Sequence, residues 1–338
     1  MRIAQIIAGG GANGFYERMA LLFAHNGHQV FPIISADPGL ELRLRTGALP
    51  PMTLEFGGML DFATLKGIRE VLQERKAQIA LAWSGRAASF LPRGPWVNAG
   101  RLDGYYGRNE FGHCAYLAGS TPGIVSHIVQ SGFSPAKVLY LPDCVEDYIR
   151  DDPARRETLG VPEDAPLLLG LGPLERARGF DTLIRAAARL PEVYCLIAGE
   201  GPERAALGRL IVQLGLEKRV RLIGARRDTG ALLKAADVFV CPARQRPLGT
   251  AVLEAFSAQT PVLATDVEGE HGVVRDGEDG LVVPVDDAEA LAAAALRIFS
   301  DTRLRVKLAL VARQRFAGEF SPQAVLGIWL ENLQKLLP

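Results

Sequence analysis

The chain has 338 residues, 48% of them apolar, with Lys plus Arg equal to Asp plus Glu at 38 each. That length exceeds what a single hydrophobic core usually serves, so two domains are expected. Both charge signs are scattered along the chain, which excludes an extended basic face for DNA or RNA. Cys114, Cys144, Cys195 and Cys241 form no C-x-x-C pair, which excludes a disulfide scaffold and a structural zinc site and leaves them as reduced, buried thiols.

In chain order, "RIAQIIA" reads as a strand, "GGGANG" as a glycine-rich turn and "FYERMALLFAHN" as a helix closed by Gly27. The strand "HQVFPII" follows, then the helix "DFATLKGIREVLQERK" with Asp61 as its cap, the buried strand "QIALAW", and the helix "TPGIVSHIVQSG" with Thr121 as cap and Pro122 at its first position. The opening residues contain no long apolar run of the kind that directs export. No window of about 18 uninterrupted apolar residues occurs, so neither export nor membrane spanning is expected and the location is read as cytoplasmic.

Residues 144–166 are charged, proline-bearing and without apolar periodicity, and the domain boundary is placed there: residues 1–150 form the first domain, residues 151–319 the second. Beyond the boundary strand and helix alternate again, from "LLLGLG" and "FDTLIRAAARL" through to "AVLEAFSA" and "PVLAT", which implies a second parallel, doubly wound sheet. The final helix, within residues 320–338 and capped by Ser321, carries Val325, Trp329, Leu333 and Leu336 at spacings of three or four. So apolar a face is expected to dock back on the first domain.

Two loops of the second half have the make-up to hold a diphosphate. In "GLGPLERARGFDTLI", Gly172 ends a strand and Arg178 precedes the start of a helix, where free amides and a positive dipole end favour an anion. In "LIAGEGPER", Gly199 and Gly201 bracket Glu200 after a buried strand and permit close approach to the backbone. Taken singly, these loops are equally consistent with plain strand-to-helix turns.

The order of the segments is more specific. "GLGPLERARGFDTLI", "IAGEGP", "RVRLIGA", "AADVFVCP", "PLGTAVLEAFSAQTPVLATD" and "VVRDGEDGLVVPVDD", in that succession over residues 165–300, resemble the carboxyl-terminal domain of family 4 glycosyltransferases. The front half resembles the family at Gly10 and Gly11 and at "GHQV". "NAGRLDGYY" and "AGSTPGIVSHIVQSG" are similar to lipopolysaccharide-core transferases.

The resemblance implies an α/β protein of GT-B fold, two facing Rossmann-like domains with a C-terminal helix crossing back to the first. It implies a nucleotide-sugar donor held by the second domain, a glycan or lipid-linked acceptor on the first, no cofactor, and retention of anomeric configuration. It also implies no metal, in keeping with the lack of a D-x-D triplet. A peripheral contact with the inner face of the plasma membrane belongs to the same expectation.

Because negative charge collects on the departing diphosphate, fixed cations there lower the barrier most. By the resemblance Arg178 fills the family's lysine position and Glu254 the second of two glutamates. Pro173 stands where an arginine is expected, Arg246 where the first glutamate is expected, and Gly272 where the family has another glutamate. Two unit charges about 4 Å apart interact by roughly 4 kcal/mol at an effective dielectric near 20, so the cation missing at Pro173 is expected to be regained at Arg246. The alternative for Arg246 is a solvated or Glu254-paired surface arginine.

Arg178, Glu254 and Arg246 are thus the expected catalytic residues. Gly10, Gly11, Asn13, Gly172, Gly199, Glu200, Gly201, Pro247, Leu248, Gly249, Thr250 and Val252 are the expected donor contacts. Asp103, Tyr105, Tyr106 and Arg108 cluster after a predicted strand and either line an acceptor pocket or pack a loop. Against the enzyme stands a second reading, a catalytically degenerate GT-B protein that binds nucleotide or glycan in an assembly or regulatory role. A GT-B nucleotide-sugar epimerase is the third.

Overall fold

The computed structural model describes every residue except 10–12, 59–60, 246–248, 268–271 and 338. The chain divides into two compact units, Met1–Asp143 with Pro322–Pro338, and Cys144–Ser321.

The first unit is built on seven strands, β1 (Arg2–Ile7), β2 (Gln29–Ser35), β3 (Met52–Leu54), β4 (Ile79–Ala82), β5 (Val97–Leu102), β6 (Tyr116–Gly119) and β7 (Val138–Tyr140). They lie in the order β3-β2-β1-β4-β5-β6-β7, every neighbouring pair parallel. The helices between them are α1 (Asn13–His25), α2 (Pro38–Thr46), α3 (Phe62–Glu74), α4 (Gly85–Ser89) and α5 (Pro122–Gln130). Asp61 accepts from the Thr64 amide at 2.9 Å and Thr121 from the Ile124 amide at 3.2 Å, so both expected caps are in place.

In the second unit β8 (Leu167–Leu171), β9 (Tyr194–Ala198), β10 (Val220–Gly224), β11 (Val238–Cys241), β12 (Val262–Thr265) and β13 (Leu281–Val283) form a parallel sheet in the order β10-β9-β8-β11-β12-β13. Its helices are α6 (Phe180–Ala188), α7 (Arg204–Gln213), α8 (Thr229–Ala235), α9 (Ala251–Ser257), α10 (Ala288–Ser300) and α11 (Thr302–Arg315). Strands β8, β9 and β11 in the middle of the sheet are apolar because both faces are covered, whereas edge strand β10 carries the exposed Arg221. Leu168, Cys195, Ile197, Val238 and Val240 point into one core, while Leu167, Leu169, Leu196, Phe239 and Cys241 point into the other. The alternation follows from the two-residue repeat of a strand.

The last helix, α12 (Pro322–Gln334), belongs to the first unit and packs on α1 and β7. Val325, Trp329, Leu333 and Leu336 are all buried, as their spacing requires, and the Trp329 indole donates to the Pro142 carbonyl at 2.9 Å. All four cysteines are free and buried. No described helix is long and apolar enough to cross a membrane.

Candidate functional site

In both sheets the chain order reverses beside the first strand, between β1 and β4 in one unit and between β8 and β11 in the other. Such a switch point leaves a crevice at the carboxyl edge, where the loops on either side diverge. In the second unit that crevice is a cavity of about 300 Å³. Leu171 and Gly172 from the end of β8, Ala198 and Gly199 from β9, Cys241 and Pro242 from β11, and Ala225 and Arg226 after β10 form its floor and sides. Arg178, Phe180, Gly249, Thr250, Ala251 and Glu254 complete its lining.

Local chemistry explains how these groups arrive there. A one-turn 3-10 helix, Arg176–Arg178, ends at Gly179, whose φ of 65° hands the chain directly to α6 with no side-chain cap at its N-terminus. Gly249 adopts φ 85°, and Arg178 Nη1 lies 3.5 Å from the point where a side chain at 249 would begin. A Cβ there would just touch the guanidinium, and the left-handed φ is what favours glycine. Thr250 Oγ1 donates to Glu254 Oε1 at 3.3 Å, joining the hydroxyl and the carboxylate on the first turn of α9.

The expected residues divide accordingly. Arg178, Glu254, Gly172, Gly199, Gly249 and Thr250 line one cavity, together with Pro173. Val252 is fully buried in the hydrophobic core. Gly201 lines a separate groove beside α7, and Glu200 pairs with Arg204 at 3.0 Å. Gly199 and Gly201 make room for protein as well: a side chain on Gly199 would strike the Gly172 carbonyl oxygen, and one on Gly201 that of Leu174. The loops after β8 and β9 are zipped by Gly172 N to Ala198 O at 3.0 Å and Leu174 N to Glu200 O at 2.9 Å. Gly272 does not line the cavity. Arg246, Pro247, Leu248, Gly10 and Gly11 lie outside the described residues, and Asn13 is seen as the first residue of α1.

Sequence reasoning missed Arg226, which also lines the cavity. Asp228 holds it through two hydrogen bonds of 2.8 and 2.6 Å, and these raise the arginine's pKa and lower the aspartate's. The only signal was its place two residues after the "RVRLIG" strand, at a carboxyl edge. Arg244 was missed as well; it ties the loops together from outside the cavity.

In the first unit, Asp103 accepts from the Tyr106 hydroxyl at 2.8 Å beyond the end of β5. His127 Nε2 meets the Tyr106 carbonyl at 3.0 Å, and its ring packs edge-on against Tyr105 at 5.2 Å. Burial, reinforced by the Asp103 charge, pushes the Tyr106 phenol up to about 12. Arg108 opens the 3-10 turn Arg108–Phe111. Next to the cluster, Arg101 is 2% exposed and was not foreseen. It donates to the Leu141 carbonyl at 3.1 Å and to Asp143, and lies over the rings of Phe15, Trp83 and Trp329 at 4.8, 5.1 and 5.6 Å.

Residues 151–315 match the family "Glycosyl transferases group 1". The chain is 33% identical over 96% of its length, and 96% of the relative's, to the lipopolysaccharide core biosynthesis glycosyltransferase LpsE of Rhizobium meliloti (strain 1021). It is 29% identical to LpsD of the same organism over 78% of this chain and 77% of that one. Among solved structures, Anabaena Alr3699/HepE in complex with UDP superimposes with a TM-score of 0.87 at 18% identity, covering 99% of this chain and 100% of that one. That likeness gives the expected GT-B fold. Matched by that family over residues 151–315 and 33% identical to a relative along nearly its whole length, the chain belongs to the group 1 glycosyl transferases.

Proposed function

We propose that the protein moves a sugar from a nucleotide-sugar donor to a lipopolysaccharide-core acceptor, with retention of anomeric configuration. The observation that carries the reading is the convergence of Arg178, Gly249, Thr250 and Glu254 on one cavity at the switch point of the second sheet. A cation beside a glycine turn suits a diphosphate, and a helix-borne carboxylate suits the hydroxyls of the ribose or sugar. The near full-length identity to LpsE supports the core acceptor.

In this reading Arg178 stabilises the departing diphosphate, Glu254 orients the nucleotide, and Arg246 contributes a further positive charge. The second unit, residues 151–319 by the sequence boundary, serves as donor domain. The first unit offers the Asp103, Tyr105, Tyr106 and Arg108 cluster to the acceptor. The acceptor is lipid-linked, so the work is done in the cytoplasm at the inner face of the plasma membrane. Exopolysaccharide acceptors are the alternative of the same class.

The test is incubation with uridine, guanosine and adenosine diphosphate sugars and a deacylated lipopolysaccharide core, read by mass spectrometry and by the anomeric coupling constant of the product. One donor is expected to give a product of unchanged configuration. An inverted anomer would overturn retention. Nucleotide binding with neither transfer nor slow donor hydrolysis would favour the silent reading, to which Pro173 in the cavity wall already lends weight.

A further inference from the structure

We propose that Arg244 is a positioning residue: it clamps the turn that carries Arg178 against the loop leaving β11, and so sets where Arg178 meets the donor's phosphates. This rests on reading the cavity as the donor site.

A guanidinium has five N–H donors in a rigid fork, and here each has an acceptor. Nε donates to Asp286 Oδ1 at 2.6 Å, Nη1 to the Arg176 carbonyl at 2.9 Å and to Asp181 Oδ1 at 2.7 Å, and Nη2 to Asp181 Oδ2 at 2.8 Å and to Thr182 Oγ1 at 3.2 Å. Thr182 in turn donates to Asp286 at 3.1 Å, and the Arg244 amide donates to the Ala177 carbonyl at 2.8 Å.

These partners come from three places: the 3-10 turn that ends in Arg178, the first turn of α6, and the connection from β13 to α10. Arg244 itself sits two residues beyond Pro242, where the chain leaves β11. A lone exposed ion pair positions little. Arg244 differs because its side chain is only 20% exposed and its hydrogen-bonding capacity is saturated.

The backbone of Asp286 shows a cost accepted for this arrangement. Its φ of 61° lies in the left-handed region, which glycine enters freely and aspartate enters at a smaller cost than most other residues. The carboxylate that glycine would lack is the one bound to Arg244 Nε and Thr182. Lysine at 244 cannot reproduce the fork, since it offers one ammonium in place of a planar, bidentate group.

The experiment measures binding of uridine, guanosine and adenosine diphosphates by calorimetry to the full chain and to Arg244→Ala, Arg244→Lys, Arg178→Ala and the Arg178→Ala/Arg244→Ala double variant, with melting temperatures recorded alongside. At least one diphosphate is expected to bind the unaltered protein. Arg244→Ala should weaken it about tenfold to a hundredfold, the range of losing the charge-assisted hydrogen bonds that a displaced Arg178 no longer makes to the phosphates. Arg244→Lys should fare little better, and the double variant should lose less than the product of the two single losses, because one residue acts through the other.

Equal affinity in the unaltered protein and Arg244→Ala, or fully multiplicative losses in the double variant, overturns the clamp. Should Arg244→Ala fail to fold, Asp286→Asn removes one charged anchor from a 54% exposed position. It is expected to weaken the diphosphate severalfold, and unchanged affinity overturns the clamp there as well. Failure of every diphosphate to bind the unaltered protein overturns the donor-site reading and the clamp with it, an outcome distinct from normal binding in all variants.

Discussion

Gly179 and Pro242 meet backbone to backbone: a side chain begun on Gly179 would fall inside contact distance of the Pro242 carbonyl oxygen. Gly179 also holds φ 65°. Both constraints act at the joint between the Arg178 turn and α6, so one residue fixes where the loop after β8 touches the loop after β11. Gly179→Ala is expected to lower the unfolding free energy by about 3 kcal/mol, combining left-handed strain with displacement of a backbone carbonyl. Diphosphate affinity should fall with it. A denaturant titration measures the first, and an unchanged midpoint would contradict the close approach.

Arg178 is expected to matter for turnover far more than for stability. It borders the cavity beside Gly249, on a turn whose geometry is set by backbone bonds and by Arg244. Arg178→Ala should reduce kcat about 100-fold to 1000-fold, the range found when one preorganised charge-stabilising donor is removed, while the melting temperature stays within a few degrees. Loss confined to KM would show that the cation binds ground state and transition state alike, and would remove it from the chemistry.

Much of this is legible in the sequence. Most of the second unit's strands announce themselves by apolar runs, and motif order puts Arg178, Gly172, Gly249, Thr250 and Glu254 together. What escaped detection was short or non-local. Strands β3, β7 and β13 are three residues each, too brief for periodicity to register. Helix α2 did carry a signal: Asp37 caps it at 2.9 Å with Pro38 at its first position, the same pairing that revealed Thr121 and Pro122. Arg244 and Arg101 were invisible for a different reason. Their partners lie 42 to 68 positions away for Arg244 and 40 to 42 for Arg101, and a sequence read along its length does not show what a sheet edge brings together.

Trp329 joins the last helix to the first unit. It is fully buried, stacks on Trp83 at 5.5 Å and packs edge-on against Phe15 at 6.2 Å and Phe23 at 6.0 Å. Removing the ring leaves a large cavity and strips Arg101 of one aromatic face. Trp329→Ala is therefore expected to destabilise this unit by about 3 to 5 kcal/mol, measured by urea unfolding. Trp329→Phe should retain much of the packing yet leave the Pro142 carbonyl without its indole donor, and so fall between the two. Equal stability of the alanine variant would show that α12 is dispensable.

Acid sensitivity should trace to carboxylates held by arginine in the second unit. Arg313 donates to Asp147 through both nitrogens at 2.6 and 2.7 Å, and these hydrogen bonds hold the Asp147 pKa below its ordinary 3.8. Between the folded and unfolded values the unfolded chain binds the extra proton. The pair's contribution is therefore complete above about 3.8 and disappears as pH falls through the lower, folded value. Asp228 behaves alike through Arg226, and so does Asp181, where burial acts upward but the Arg244 hydrogen bonds and charge outweigh it. Asp147→Asn is expected to melt below the unaltered protein at pH 7, with the two melting temperatures converging as the buffer is taken well below pH 3.8. A constant gap across that range would mean that the loss comes from packing alone, and that Arg313 reaches Asp147 without holding its charge.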